Sequence, residues 1–332
     1  MRIVFFGTPD FAVNTLEKIL NDDRHEVVAV VTQPDKVRSR GRKVTPSPVK
    51  KVAVEHELPV WQPARIKKDD ETLALLEQAQ ADVFVVVAYG QILSKQILDM
   101  PKYGCVNVHG SILPEYRGAA PIQWSIYDGK EETGITTMLM NEGMDTGDML
   151  LTAYTPIDLF TDFGSLSSQL ANQGADLLIE TLEKLGDETA EAIPQDDEQA
   201  TYARLIKKED FTIDWTKSAL QIHNHIRAFY PSVFTTFRGD KLKVTKSLPI
   251  DELDLGALPP EFKKLPNYLQ DLDSLSGEVG AIVKTVKNFG FIVQTTDGLL
   301  LILEVQLAGK KLQSAWNFIN GSRLEIGEKL GA

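Results

Sequence analysis

The 332-residue sequence is 43% hydrophobic, enough to build a substantial core, and its length favours two domains. A net charge of −12 excludes a general basic field for nucleic acid, and a single cysteine excludes an intramolecular disulfide. The opening MRIVFFGTPDFAV lacks the length of a membrane span and the layout of a signal peptide, and the five histidines show no zinc-ligand spacing, so a metal-free, cytoplasmic protein is expected.

Taken in order, the chain first alternates strand-like runs with helical patterns. RIVFFG reads as a strand, followed by a helix from about Thr8 with Thr8 as N-cap, Pro9 at the first helical position and Ala12, Leu16, Ile19 and Leu20 on its apolar face. EVVAVVTQ is a second strand, residues 69–80 a helix, and DVFVVVAYG and GCVNVHG two more strands. Continuous Val-rich runs separated by helices predict an α/β class, a Rossmann-like parallel sheet covered on both faces. GITTMLM and DMLLTAY are further strands, and residues 164–185 form a long helix with Leu166, Leu170, Leu177, Leu178, Leu182 and Leu185 at helical spacing. The first domain is thus expected over residues 1–188, with a polar linker over 189–205. Beyond it LKVTKSL, GAIVKTV, FGFIVQT and LLLILEVQ predict a small C-terminal β-barrel over 206–332, of OB-like size, with a hairpin across Asp297-Gly298. Residues 249–277 are an acidic, proline-containing insertion with no assignable element. The acidity is uneven: residues 206–332 hold 16 basic and 15 acidic side chains, so the excess of acid belongs to the first part.

Chemistry concentrates at Asn107-Val108-His109, at the end of a predicted buried strand. Residues two apart share a face, so an amide donor and a titratable imidazole project together where open α/β sheets bind ligands. A lone histidine at a strand end more often satisfies a backbone carbonyl; the polar pair shifts the balance toward function. The turn-rich Asn141-Glu142-Gly143-Met144-Asp145-Thr146-Gly147-Asp148 offers a carboxylate, Asp145, that could orient His109, although Asp and Gly also dominate ordinary turns. Cys105 shares the face of Asn107 but has no base supplied by sequence, and reads as a buried structural thiol. Seven basic residues and no acidic one lie between positions 36 and 51, which alone would be a solvated loop.

Together these residues resemble a known family. Asn107-x-His109-x-Ser111-x-Leu113-Pro114, Arg117-Gly118-Ala119-Ala120-Pro121-Ile122 and Asp145-Thr146-Gly147 resemble the signature of the folate-dependent formyltransferases. Phe6-Gly7-Thr8-Pro9-Asp10-Phe11, Thr32-Gln33-Pro34-Asp35, Thr45-Pro46-Ser47-Pro48-Val49-Lys50, Val87-Ala88-Tyr89-Gly90, Ile213-Asp214-Trp215 and Gly309-Lys310-Lys311 extend the likeness over nearly the whole chain. The sequence departs from the family pattern at Ile112, Glu115-Tyr116, Pro231-Ser232 and the insertion. The resemblance implies Asn107, His109 and Asp145 as the catalytic set, and a folate site lined by Ser111, Ile112, Leu113, Pro114, Tyr89, Gly90, Met140 and Met144. It implies 10-formyltetrahydrofolate as donor and the free α-amine of initiator methionyl-tRNA as acceptor, with Arg38, Arg40, Arg42 and Lys43 meeting the tRNA, in a monomer without metal.

Two other classes compete. A nicotinamide oxidoreductase would share the Rossmann-like opening, but Phe6-Gly7-Thr8-Pro9 supplies one glycine where a pyrophosphate loop needs several. A pure RNA-binding protein is opposed by the intact Asn107, His109 and Asp145. Within the family, a sugar-amine acceptor would use the same catalytic set; the basic segment and the C-terminal region favour tRNA.

Overall fold

A computed structural model describes residues 1–37, 44–270, 272 and 275–331. The chain divides into two compact units, one of Met1–Ile122, Glu131–Asp158 and Ser165–Arg204, the other of Gln123–Lys130, Leu159–Gly164 and Leu205–Ala332.

In chain order the elements up to Arg204 are β1 (Arg2–Gly7), α1 (Val13–Leu20), β2 (Glu26–Val31), β3 (Lys36–Val37), β4 (Val44–Thr45), α2 (Pro48–Glu55), β5 (Val60–Trp61), α3 (Asp70–Gln78), β6 (Val83–Val87), α4 (Lys95–Leu98) and β7 (Cys105–His109). Then come β8 (Arg117–Gly118), α5 (Pro121–Tyr127), β9 (Glu132–Leu139), β10 (Met149–Pro156), α6 (Phe163–Gly186) and β11 (Tyr202–Ala203). Among the described residues a seven-stranded sheet has the order β10-β9-β7-β6-β1-β2-β5. From β7 to β5 it is parallel, as the Val-rich runs predict. The fully parallel expectation is corrected at one edge: β9 runs antiparallel to β7 and to β10, and the loop over residues 140–148 joins β9 to β10 as a hairpin rather than by a helical crossover.

The first helix also differs from expectation. A 3-10 turn over Asp10–Ala12 precedes α1, and Thr8 caps nothing: its hydroxyl donates to the Tyr89 carbonyl at 3.0 Å. Gly7 pairs with Val87 across β1 and β6, so the Thr8 contact ties two strand ends together just where side chains converge. By contrast α3 starts as read, with the Asp69 carboxylate accepting from the Thr72 amide at 3.0 Å. Residues 189–204, expected as linker, are part of the first unit. Ile193 exchanges backbone bonds with Met149, and β11 pairs in parallel with β8.

The second unit holds α7 (Ala219–Ala228), an antiparallel sheet ordered β12 (Phe234–Phe237), β13 (Asp240–Pro249), β16 (Leu299–Leu307), β15 (Gly290–Gln294), β14 (Ile282–Val286), with β17 (Gln313–Ser314) beside β16, and α8 (Ala315–Ser322). The hairpin between β15 and β16 turns through Asp297-Gly298, with Gly298 at φ +82°. Strands β12 and β14 do not pair directly. The last residues bridge the two edges instead: Leu330 and Gly280 bond on one side, and the Gly331 amide donates to the Thr236 carbonyl on the other. The insertion is ordered over its described residues. Ile250, Phe262 and Leu265 are buried against Leu248, Val286, Ile292 and Leu301, so its apolar side chains cap one face of the sheet.

Candidate active site

Strand β7 is buried along its length, and alternation puts Cys105, Asn107 and His109 on one face. That face is covered by two returning segments. After β6 the chain turns back through Ala88 and Gly90, at φ +46° and +84°, and drops Tyr89 into a cluster with Phe6, Phe84, Leu93 and Cys105, with Met140 packed against it. Because β9 is antiparallel to β7, the loop after it leaves at the Cys105 end, where the Met140 amide donates to the Cys105 carbonyl. It must therefore run back along the face to bring Asp145 to His109.

It does so. His109 Nδ1 lies 3.8 Å from Asp145 Oδ2, ion-pair range but longer than a hydrogen bond, and Nε2 lies 3.0 Å from the Tyr116 carbonyl. A carbonyl only accepts, so Nε2 carries the proton. The backbone reading weighed for a lone histidine is thus realised at Nε2, while Nδ1 faces the Asp145 carboxylate. Asp145 sits at φ +53°, and its Oδ2 accepts the Gly118 amide at 2.8 Å. Asn107 is 8% exposed, and among the described residues its side-chain amide has no hydrogen-bond partner.

Other predicted site residues fall into two groups. Ser111 and Leu113 are enclosed and build the turn: the Ser111 hydroxyl donates to the Glu115 carbonyl at 2.6 Å, while Thr136 on β9 accepts from the Leu113 amide and donates to the Ser111 carbonyl. The Leu113-Pro114 peptide is cis. Gly90 and Met144 are exposed, whereas Ile112, Pro114 and Met140 are partly so. Burial pushes the Tyr89 phenol above its ordinary range, and its hydroxyl has no partner among the described residues, so a neutral donor is held beside the site. Cys105 is the buried thiol expected, pushed up to about 12 by burial and far from thiolate chemistry. Arg38, Arg40, Arg42 and Lys43 lie outside the described residues.

Sequence reading missed the polar frame around these groups. Gln33 donates to the Tyr89 carbonyl, and Gln62 donates to the Gln33 carbonyl and to Asp35. Lys50 pairs with Asp35 at 2.7 Å, which holds that carboxyl below its usual range. Arg117, 2% exposed, and Gln195 stand behind Asp145. Arg117 stands in the quoted Arg117-Gly118-Ala119-Ala120 motif without a task assigned to it, and Gln195 is one glutamine in a polar stretch. Among the described residues no group of three or more His, Cys, Asp or Glu is placed to hold a metal ion, and no helix is long and apolar enough to cross a membrane.

Comparison with known proteins points one way. Residues 1–182 match the formyl transferase family and residues 205–323 its C-terminal domain. The chain is 61% identical to a methionyl-tRNA formyltransferase of Trichormus variabilis, covering 100% of this chain and 99% of that one. It is 49% identical to one of Thermosynechococcus vestitus, over 98% and 97%. Among solved structures, a sugar 3N-formyl transferase, determined with dTDP and 5-N-formyl-THF, aligns with a TM-score of 0.63 at 20% identity, over 94% of this chain and 99% of that one. The N-formyltransferase of Helicobacter canadensis, in complex with folinic acid and dTDP-3-aminofucose, aligns at 0.60 and 20%, over 90% and 98%. At such identities these two show the fold alone.

Proposed function

Because this chain belongs to the formyl transferase family, among its methionyl-tRNA formyltransferases, we propose that the face of β7 is where a formyl group passes from a folate to an amine. The activity is transfer of a formyl group to methionyl-tRNA, the step that supplies formylmethionyl-tRNA for translation initiation. The observation that carries the placement is the return of Asp145 to His109 beside an Asn107 amide that has no hydrogen-bond partner among the described residues. We assign 10-formyltetrahydrofolate as the donor, whose chemistry is a formyl carbon on a nitrogen leaving group. The Asn107 amide, without a hydrogen-bond partner among the described residues, suits a polar ligand, and Gly90, Ile112, Pro114, Met140 and Met144 would line it. The enzyme would work in the cytoplasm as a monomer.

The mechanism follows from acyl transfer. The α-amine nitrogen of the methionyl group attacks the formyl carbon, a C–N bond forms, and the carbonyl electrons move to oxygen. Asn107 donates a hydrogen bond to that oxyanion, an interaction that strengthens as charge develops. His109 Nδ1, the ring nitrogen without the proton, takes up the proton that the attacking amine loses; the imidazolium so formed is balanced by Asp145, supports the oxyanion by its charge and gives the proton to the nitrogen that leaves. The electrons of the broken C–N bond stay on the folate nitrogen, which takes up that proton, so no covalent enzyme intermediate is required.

The test compares formylation of methionyl-tRNA and of amino sugars by the purified protein with 10-formyltetrahydrofolate. Product on methionyl-tRNA and none on amino sugars is expected. The reverse preference would transfer the chain to the sugar-amine branch.

A further inference from the structure

We propose that Gln195 is a positioning residue for the transfer, fixing the turn that aims Asp145 at His109; this rests on the catalytic reading above. The Gln195 side-chain nitrogen donates to two carbonyls of that turn, Asp145 at 2.8 Å and Gly147 at 2.7 Å. An amide side chain could be turned either way, oxygen or nitrogen toward the turn. Arg117 decides: its guanidinium, which has donors only, gives its Nε–H to Gln195 Oε1 at 2.9 Å and so forces the NH2 group toward the carbonyls. Arg117 is itself braced by Asp197, whose Oδ1 accepts from its Nη2 at 2.7 Å.

The turn needs such bracing. Asp145 is a non-glycine residue at φ +53°, a conformation that persists where surroundings over-determine it. Gly147 is packed so close to the Leu139 carbonyl that a Cβ there would lie 1.7 Å from its oxygen, so the turn has no room to relax that way. The Gly118 amide holds the Asp145 carboxylate while the Arg117 side chain, through Gln195, holds the Asp145 carbonyl. One dipeptide therefore fixes both ends of the residue that faces His109.

The experiment compares Gln195→Leu, Gln195→Glu, Asp145→Ala and the Gln195→Leu/Asp145→Ala double variant, reading kcat and KM for methionyl-tRNA and 10-formyltetrahydrofolate, with thermal unfolding alongside. Gln195→Glu keeps the shape and the acceptor for Arg117 but turns a carboxylate oxygen onto two carbonyls, so it tests the donors without a cavity. Each Gln195 variant is expected to lower kcat by about ten- to a hundredfold, the scale for lost outer-shell support or a misplaced catalytic group, with KM values within about twofold of wild type. In the Asp145→Ala background the Gln195 change should cost nothing more, because its effect runs through Asp145. Wild-type kcat in both single variants, or a loss that persists in full without Asp145, overturns the inference. Full activity in Asp145→Ala would instead overturn the catalytic reading itself.

Discussion

At the scale of single residues, the proposed mechanism gives three side chains unequal tasks, and the loss of each should be read in kcat. His109→Ala and Asp145→Ala are each expected to lower kcat by at least about a hundredfold, the size of a general acid–base contribution, with unfolding temperatures near wild type. Asn107→Ala removes a donor that matters most when the oxyanion forms, so its loss of about a hundred- to a thousandfold should also fall on kcat rather than KM. Steady-state kinetics on methionyl-tRNA check all three. A variant with near-wild-type kcat would be removed from the catalytic set. That Asn107 and His109 share a face was legible because strand alternation depends only on residues two apart. Gln195 was not, because its contact with Asp145 spans 50 residues, and a polar stretch gives no sign of what it will touch. Thr8 misled for a related reason: a hydroxyl before a proline reads as a cap, yet Tyr89, 81 positions away, offers its carbonyl first.

At the scale of elements, α7 shows how a helix can be fixed by buried ionisable groups rather than by apolar packing alone. His223 bonds with Ser247 through Nδ1 and with the Leu159 carbonyl through Nε2, while Arg227 donates to the Asn224 side chain and the Thr161 carbonyl. Burial, helped by the positive Arg227, pushes His223 down to about 4. His225 on the same helix is lowered too, mainly by burial. Well above pH 6.5 the His223 ring is neutral in both folded and unfolded chains and adds no pH dependence. As pH falls through 6.5 the unfolded chain takes up a proton that the folded ring refuses, so stability is lost until about pH 4, where the folded ring protonates as well. The whole span corresponds to about 3 kcal/mol from this one group. Thermal unfolding at pH 7.5 and 5.0 should therefore show a larger drop for the wild type than for His223→Gln, which keeps a donor for Leu159 but does not titrate. Parallel losses would remove His223 from the acid sensitivity. The helix at residues 164–185 and the Val-rich strands were readable from periodicity, whereas the antiparallel turn of β9, the bridging C-terminal residues and the capping role of the insertion were not. Each of those depends on pairing between distant segments, which a hydrophobic pattern leaves open.

At the scale of the whole molecule, a chain of net charge −12 must meet a polyanion. The acid excess lies before residue 206, the part that carries Asn107, His109 and Asp145, so productive docking needs a local cationic element in that part. The segment over residues 36–43, with Arg38, Arg40, Arg42 and Lys43, is the densest run of positive charge available. Its feet are fixed: β3 pairs with β4, and the Asp35, Lys50 and Gln62 side chains bond to one another beside them. Arginine suits an RNA end because its planar fork grips phosphate through two hydrogen bonds and stacks on unpaired bases. Arg40→Ala and Arg42→Ala are therefore expected to raise KM for methionyl-tRNA while leaving the folate dissociation constant within about twofold of wild type. Each lost phosphate contact should also flatten the log–log salt dependence of tRNA binding by roughly 0.7 to 0.9, the release of one condensed counterion. Michaelis constants over a salt series, with folate binding measured separately, distinguish this from a general loss of fold, which would weaken both ligands together. Unchanged tRNA parameters in both variants would make the segment an ordinary solvated loop and leave the basic residues after 205 as the place to look for the acceptor.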